Sequence, residues 1–277
     1  MILINGCSFT AEGGYAKTWV NGIRDNGYSV INVAAGGASN TMIRRKVYHY
    51  LFNDIYNIKS EYDINYAIIQ WSTIDRWDYP VLVDYEKSKI FPRVSSYPER
   101  LNTINYMCNG TDTLGYAKDF YERYYSVYGA VLETLENIYH TQQYLKTANV
   151  PYKMITIGNI FGMDITIDKL NYLQSGNIDG NYNELKVGSI FSMLEKYDSS
   201  WYELDIIKPL LQKIDFSKFI FTDDTNISGF GGGIIEWFAN KNEILVGGGG
   251  HPSEEQHSRF FKEFLWDKIK NELYAIT

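Results

Sequence analysis

Met1-Ile2-Leu3-Ile4-Asn5-Gly6-Cys7-Ser8-Phe9-Thr10 opens the chain, and its reading decides the fold. The first four residues are apolar, with no polar partner to make an alternating face. A short apolar run closed by glycine reads as a strand buried on both faces, as strands of parallel sheets are. Gly6 permits a tight turn or a close backbone approach. Ser8 then falls just past the carboxyl end of a central strand, where open α/β sheets place their ligands. A serine there can point its hydroxyl into a cleft while its own N–H faces the same space. That is the geometry a nucleophile needs, because the oxyanion forms beside the attacking oxygen. The plainer alternative is a serine that ends the strand with a local hydrogen bond.

The pattern repeats outward from this stretch. Tyr15 to Asn26 reads as a helix with Trp19, Val20 and Ile23 on one face, stopped by Gly27. Tyr28 to Val33 reads as a second strand. Ala34 to Gly37 is a small-residue turn, and Ser39 or Asn40 can cap a helix carrying Met42, Ile43, Val47, Tyr50 and Leu51. Ile64 to Trp71 is a third apolar strand. This β-α-β-α-β rhythm implies parallel strands joined by crossovers. Farther on, a long helix is expected from about Tyr116 to Thr147 and a fourth strand over Tyr152 to Ile157. A short fifth strand is expected over Phe219 to Thr222. Ser253 and Gln256 form a capping box for a last helix with a four-residue stripe of Phe261, Leu265, Ile269 and Leu273.

The intervening stretches lack such periodicity. Residues from Asp75 to about Gly115 hold three of the six prolines and read as irregular. Residues from about Gly158 to Leu210 are rich in Asn, Asp, Gly and Ser. Residues 1–277 therefore read as one α/β domain with insertions at about 76–115 and 159–210, which are expected to shape a cleft over the edge that carries Ser8. Gly229 to Gly233 does not match a dinucleotide fingerprint, because Ile234 stands at the third glycine position.

Composition narrows the function classes. The 33 acidic and 26 basic side chains give a net charge of −7, which argues against nucleic acid as a partner. Two cysteines, Cys7 and Cys108, make no disulfide framework. The first strand starts at Met1 itself, so no leader pattern precedes it, and no apolar run is long enough to span a bilayer. A cytoplasmic protein with no membrane partner is the expectation. The 24 tyrosines suit sugar-binding or partner surfaces, but tyrosine also fills ordinary amphipathic faces, and that ordinary use is the expectation.

A serine nucleophile needs a base, and the chain has four histidines. His49 and His140 lie within helical patterns, and His257 falls in the first turns of the last helix. His251 follows four glycines and precedes Pro252, in a loop just before that helix; the proline fixes the backbone, the glycines let the chain approach the first strand closely, and His251 is the candidate general base. No His or Cys cluster has metal-ligand spacing, so neither metal nor cofactor is expected.

Gly6-Cys7-Ser8-Phe9-Thr10 resembles block I of the SGNH (GDSL-like) hydrolases, with Cys7 in place of the usual Asp. Asn32-Val33-Ala34-Ala35-Gly36-Gly37-Ala38-Ser39-Asn40 resembles the stretch holding block II, where Gly37 best matches the glycine whose N–H is an oxyanion donor. His251-Pro252-Ser253 resembles block V, where the histidine before proline is the base. The resemblance implies a flavodoxin-like three-layer α/β/α fold with a central parallel sheet, and serine esterase chemistry on a small-molecule or glycan ester, an O-acetylated glycan being one such substrate. It assigns catalysis to Ser8 and His251, with the oxyanion held by Ser8 and Gly37.

Two departures from the family pattern stand out. After the third strand the chain reads Gln70-Trp71-Ser72-Thr73-Ile74-Asp75-Arg76, so Ile74 replaces the expected oxyanion Asn, and Ser72 or Thr73 offers a hydroxyl instead. Gly248 stands where the family commonly has the Asp that orients the histidine. Asp223, Asp224 and Glu243 are the nearby carboxylates in sequence. A catalytically degenerate domain of the same family, binding glycan or protein, is the alternative that these departures support.

Overall fold

The computed structural model describes residues 1–12, 17–52, 63–74, 76–82, 94–96, 103–108, 123–158, 160, 205–222, 232–247 and 250–276. Its centre is a four-stranded parallel sheet of β1 (Ile2–Asn5), β2 (Val30–Asn32), β3 (Tyr66–Trp71) and β7 (Tyr152–Thr156), in the order β2-β1-β3-β7. Every residue of β1 and β3 is buried, which is why both read as near-continuous apolar runs, with one polar residue each (Asn5 and Gln70), rather than alternating ones. Helices α1 (Trp19–Asp25) and α2 (Asn40–Phe52) connect the first three strands, and α3 (Val127–Thr147) leads into β7. Helix α2 packs against both α3 and the sheet. Helix α1 packs against the C-terminal helix α6 (Glu254–Phe260) and against the turn that joins it to α7 (Trp266–Tyr274). The result is the three-layer α/β/α arrangement with the strand order of a doubly wound, flavodoxin-like sheet. Shorter helices α4 (Ile207–Lys213) and α5 (Ile234–Ala239) complete the described set. No helix among the described residues is long and apolar enough to cross a membrane.

The C-terminal stripe has a geometric consequence. Residues four apart drift by about 40° per step around a helix of 3.6 residues per turn. Phe261, Leu265, Ile269 and Leu273 are nevertheless all buried. A π-helical turn over Phe261–Leu265 joins α6 to α7. Its wider winding absorbs part of the drift and keeps the stripe on the sheet side.

Phe261 also sets how closely α1 approaches. A Cβ on Gly22 would lie 2.2 Å from the Phe261 ring. Gly22→Ala raises helix propensity by about 1 kcal/mol, yet it is expected to destabilise the protein by about 1–2 kcal/mol through overpacking. Urea unfolding reads this directly, and a raised midpoint would contradict the packing argument.

Three sequence expectations change. Within the stretch expected to be irregular, β4 (Trp77–Leu82), β5 (Val94–Ser96) and β6 (Thr103–Cys108) form an antiparallel sheet in the order β4-β6-β5. Pro80 weakened the strand signal, but β4 is an edge strand, where proline is tolerated. The long helix starts at Val127, where the Ser126 side chain accepts the Gly129 N–H at 2.9 Å. Apolar spacing alone carried the expectation past that cap; residues 109–122 lie outside the described residues. The short fifth strand reduces to a single parallel bridge, Met154 to Phe219. Thr222 N–H then bonds the Gly232 carbonyl at 3.0 Å. Most of the second expected insertion, 161–204, lies outside the described residues.

Candidate active site

The site begins where β1 leaves the sheet. Asn5 is fully buried: its side chain accepts the Gly6 N–H at 2.8 Å and donates to the Ile43 carbonyl at 2.8 Å, tying the strand end to α2. Thr10 and Ala11 N–H both donate to the Cys7 carbonyl at 2.9 Å. Residues 7–11 thus form a tight turn that carries Ser8. Asn32 Nδ2 holds the far side of that turn through the Thr10 carbonyl at 2.8 Å. Ser8 itself is buried, with 5% of its surface exposed.

His251 arrives from the other end of the chain. Gly247 N–H bonds the His251 carbonyl at 2.8 Å in an antiparallel bridge. After Pro252, Ser253 caps α6, with the expected capping box to Gln256. The buried Gln256 amide also accepts from Val246 N–H and donates to the Ile244 carbonyl, so one side chain staples both arms of the loop. His251 Nε2 stands 2.7 Å from Ser8 Oγ, across 243 positions of sequence. The Phe9 ring lies tilted against the imidazole at 5.1 Å between centroids. A neutral Nε2 at this distance can accept the serine proton.

Gly37 sits in the loop after β2. That loop runs along the end of β1 through Val33 N–H to the Ile4 carbonyl (2.8 Å) and Ala35 N–H to the Gly6 carbonyl (3.1 Å). It turns through Gly37 at a positive φ of 71°. Among the described residues, neither the Ser8 N–H nor the Gly37 N–H makes a hydrogen bond. The loop's base is anchored by the buried Lys46, whose Nζ donates to the Val33 carbonyl at 2.7 Å. Burial lowers the Lys46 pKa to about 8, with the Asp78 charge opposing. Asp78 is itself held by Arg45 at 2.7 Å and 2.8 Å, and burial pushes its carboxyl upward against that pairing.

Ser72 lies just beyond β3 on the same sheet edge. Its N–H donates to Asn40 Oδ1 at 2.8 Å, and its buried hydroxyl has no partner among the described residues. Asn40 Nδ2 reaches the Ser72 carbonyl at 3.3 Å and Thr134 Oγ1 at 3.1 Å. Expected only as an alternative helix cap, Asn40 is instead a buried clamp between β3 and α3. Ser39 takes the capping bond from Met42 N–H. Ile74, which replaces the expected Asn, is buried in the core.

Of the carboxylates near His251 in sequence, Glu243 gives both oxygens to Arg259, at 2.8 Å and 2.9 Å. Asp223, Asp224 and Gly248 lie outside the described residues. His257, one turn into α6, is buried, and its Nδ1 has no hydrogen-bond partner among the described residues. Burial, and secondarily the His251 charge, lower its pKa to about 4. No group of three or more His, Cys, Asp or Glu among the described residues is placed to hold a metal ion.

No protein-family model and no curated protein matches the chain. Two solved structures align over nearly its whole length at low similarity. The psychrotrophic esterase EstA from Pseudoalteromonas sp., inhibited by monoethylphosphonate, is 11% identical, covers 99% of this chain and 98% of its own, and gives a TM-score of 0.43. TesA is 12% identical, covers 98% of each chain and also gives a TM-score of 0.43.

Proposed function

We propose that this chain is a serine ester hydrolase of the SGNH type, acting through Ser8 and His251. The observation that carries the reading is the 2.7 Å approach of His251 Nε2 to Ser8 Oγ at the carboxyl edge of a parallel sheet. In this reading His251 takes the Ser8 proton as Oγ attacks the ester carbonyl carbon. The N–H groups of Ser8 and Gly37 receive the oxyanion, with the Ser72 hydroxyl a third donor within the same edge. Collapse expels the alcohol, which leaves with the proton from His251. Water, deprotonated by the same imidazole, then attacks the acyl enzyme and frees the acid and Ser8.

One observation favours the alternative of a degenerate domain that binds glycan or protein: the apolar Ile74 stands where a side-chain donor is expected. Losing one such donor costs about 3 kcal/mol in the transition state, so slow turnover is expected. Hydrolysis of a panel of aryl and sugar acetates by the purified protein tests the reading. Turnover that disappears in Ser8→Ala supports it. No hydrolysis above that background at any pH would leave the binding domain as the better account.

A further inference from the structure

Attack by Ser8 requires that its turn be held at a fixed place relative to His251, and we infer that Gln70 is the positioning residue that holds it; the inference rests on the hydrolase reading above. Gln70 is fully buried in β3. Its Nε2 donates to the Trp71 carbonyl at 2.6 Å, which fixes the orientation of the amide. Oε1 then accepts three bonds, from Cys7 N–H at 3.3 Å, the Cys7 thiol at 3.3 Å and the Thr10 hydroxyl at 2.9 Å. One oxygen therefore grips the nucleophile turn on both sides of Ser8. Turned around, the amide would face its NH₂ to the Cys7 N–H, donor against donor.

Two neighbours extend the arrangement. Thr10 Oγ1 accepts from Trp19 Nε1 at 3.3 Å, so a polar chain runs from α1 through the turn to β3. A Cβ on Gly6 would lie 2.9 Å from Gln70 Cβ, Gln70 Oε1 and Thr10 Oγ1, so the contact needs glycine there. The pairing also accounts for Cys7 where the resembled family has Asp. A thiol donates to the Gln70 oxygen, whereas a carboxylate at that place would set acceptor against acceptor. Cys7 and Gln70 are a matched pair.

Positioning errors near 1 Å reduce rates about 10²-fold. Gln70→Leu is therefore expected to slow both phosphonylation of Ser8 by a fluorophosphonate and kcat/KM on an aryl acetate by about 10²-fold, with KM little changed. Thr10→Ser keeps the hydroxyl and is expected to keep the rate, while Thr10→Val lowers it. Gln70→Glu gives a readout that a purely structural role would not move. A protonated glutamic acid reproduces both functions of the amide, its O–H donating to the Trp71 carbonyl. The ionised form sets an anion against that carbonyl, so activity of this variant is expected to fall as pH rises through the carboxyl's titration, measured well below its melting temperature. If Gln70→Leu does not fold, the Thr10 pair and Gln70→Glu decide the matter. Folded Gln70 variants that label and turn over like the wild type at every pH overturn this inference alone. A wild type that neither labels nor hydrolyses removes the reaction, and with it both this inference and the reading beneath it.

Discussion

Ser8→Ala is expected to lower kcat/KM on any ester this protein hydrolyses by at least about 10⁴-fold, and His251→Ala by a similar factor. The double variant is expected to be little worse than either single one. The two groups act as a unit: without the imidazole the serine hydroxyl is a weak nucleophile, and without the hydroxyl the imidazole has nothing to deprotonate. Removing one forfeits the contribution of both, so the losses do not add. His251 accepts a proton only when neutral, so wild-type kcat/KM is expected to rise with pH through one ionisation that is absent from His251→Ala. Steady-state kinetics on an aryl acetate across pH provide the measurement. Losses that multiply in the double variant, or a Ser8→Ala protein that keeps a tenth of the activity, would contradict the pairing.

Acid is expected to destabilise the fold by about 3 kcal/mol through His257 alone. Its folded pKa is about 4, against about 6.5 in an unfolded chain. Between those values the unfolded state binds a proton that the folded state refuses, so stability falls as pH falls. The contribution is fully present above the unfolded value and fully lost below pH 4. A shift of this size corresponds to about 3 kcal/mol at about 1.4 kcal/mol per pKa unit. The cause is foremost the burial of the imidazole under α6, and then the charge of nearby His251. His257→Leu keeps the bulk, removes the titration and leaves no buried Nδ1 without a partner. Urea unfolding of both proteins at pH 7.5 and 4.5 is the check. The wild type should lose more stability between the two than the variant; equal losses would place the acid sensitivity elsewhere.

How much of this was legible in the chain depended on the kind of signal each part leaves. Ile2 to Asn5 and Tyr66 to Trp71 are buried on both faces, and the sheet centre could be read from their near-continuous apolar character. Ser253 and Gln256 announced the last helix through capping chemistry, which is local. Ser8 and His251 could be singled out because each sits on a loop after a strand or before a helix, with small residues around it. The antiparallel sheet was hidden because its strands pair at a distance and Pro80 interrupts one of them. The π turn was hidden because a four-residue stripe reads the same in an α-helix until drift is counted. Gln70 left no sequence signal, and Asn40 only that of a possible helix cap. A single buried amide has no periodicity, and its partners, Cys7 and Thr10 for one and Ser72 and Thr134 for the other, come together only through the tertiary fold.

The central claim is that Ser8 is a nucleophile activated by His251, and covalent capture tests it most directly. The purified protein is exposed to a fluorophosphonate, the intact mass is measured, and the modified residue is mapped by peptide fragmentation. The expected result is one phosphonyl group per chain on Ser8, none on Ser8→Ala, and labelling of His251→Ala slowed by at least about 10²-fold, the scale on which a general base contributes. A wild-type protein that stays unmodified, or carries its adduct on another residue, would contradict the account.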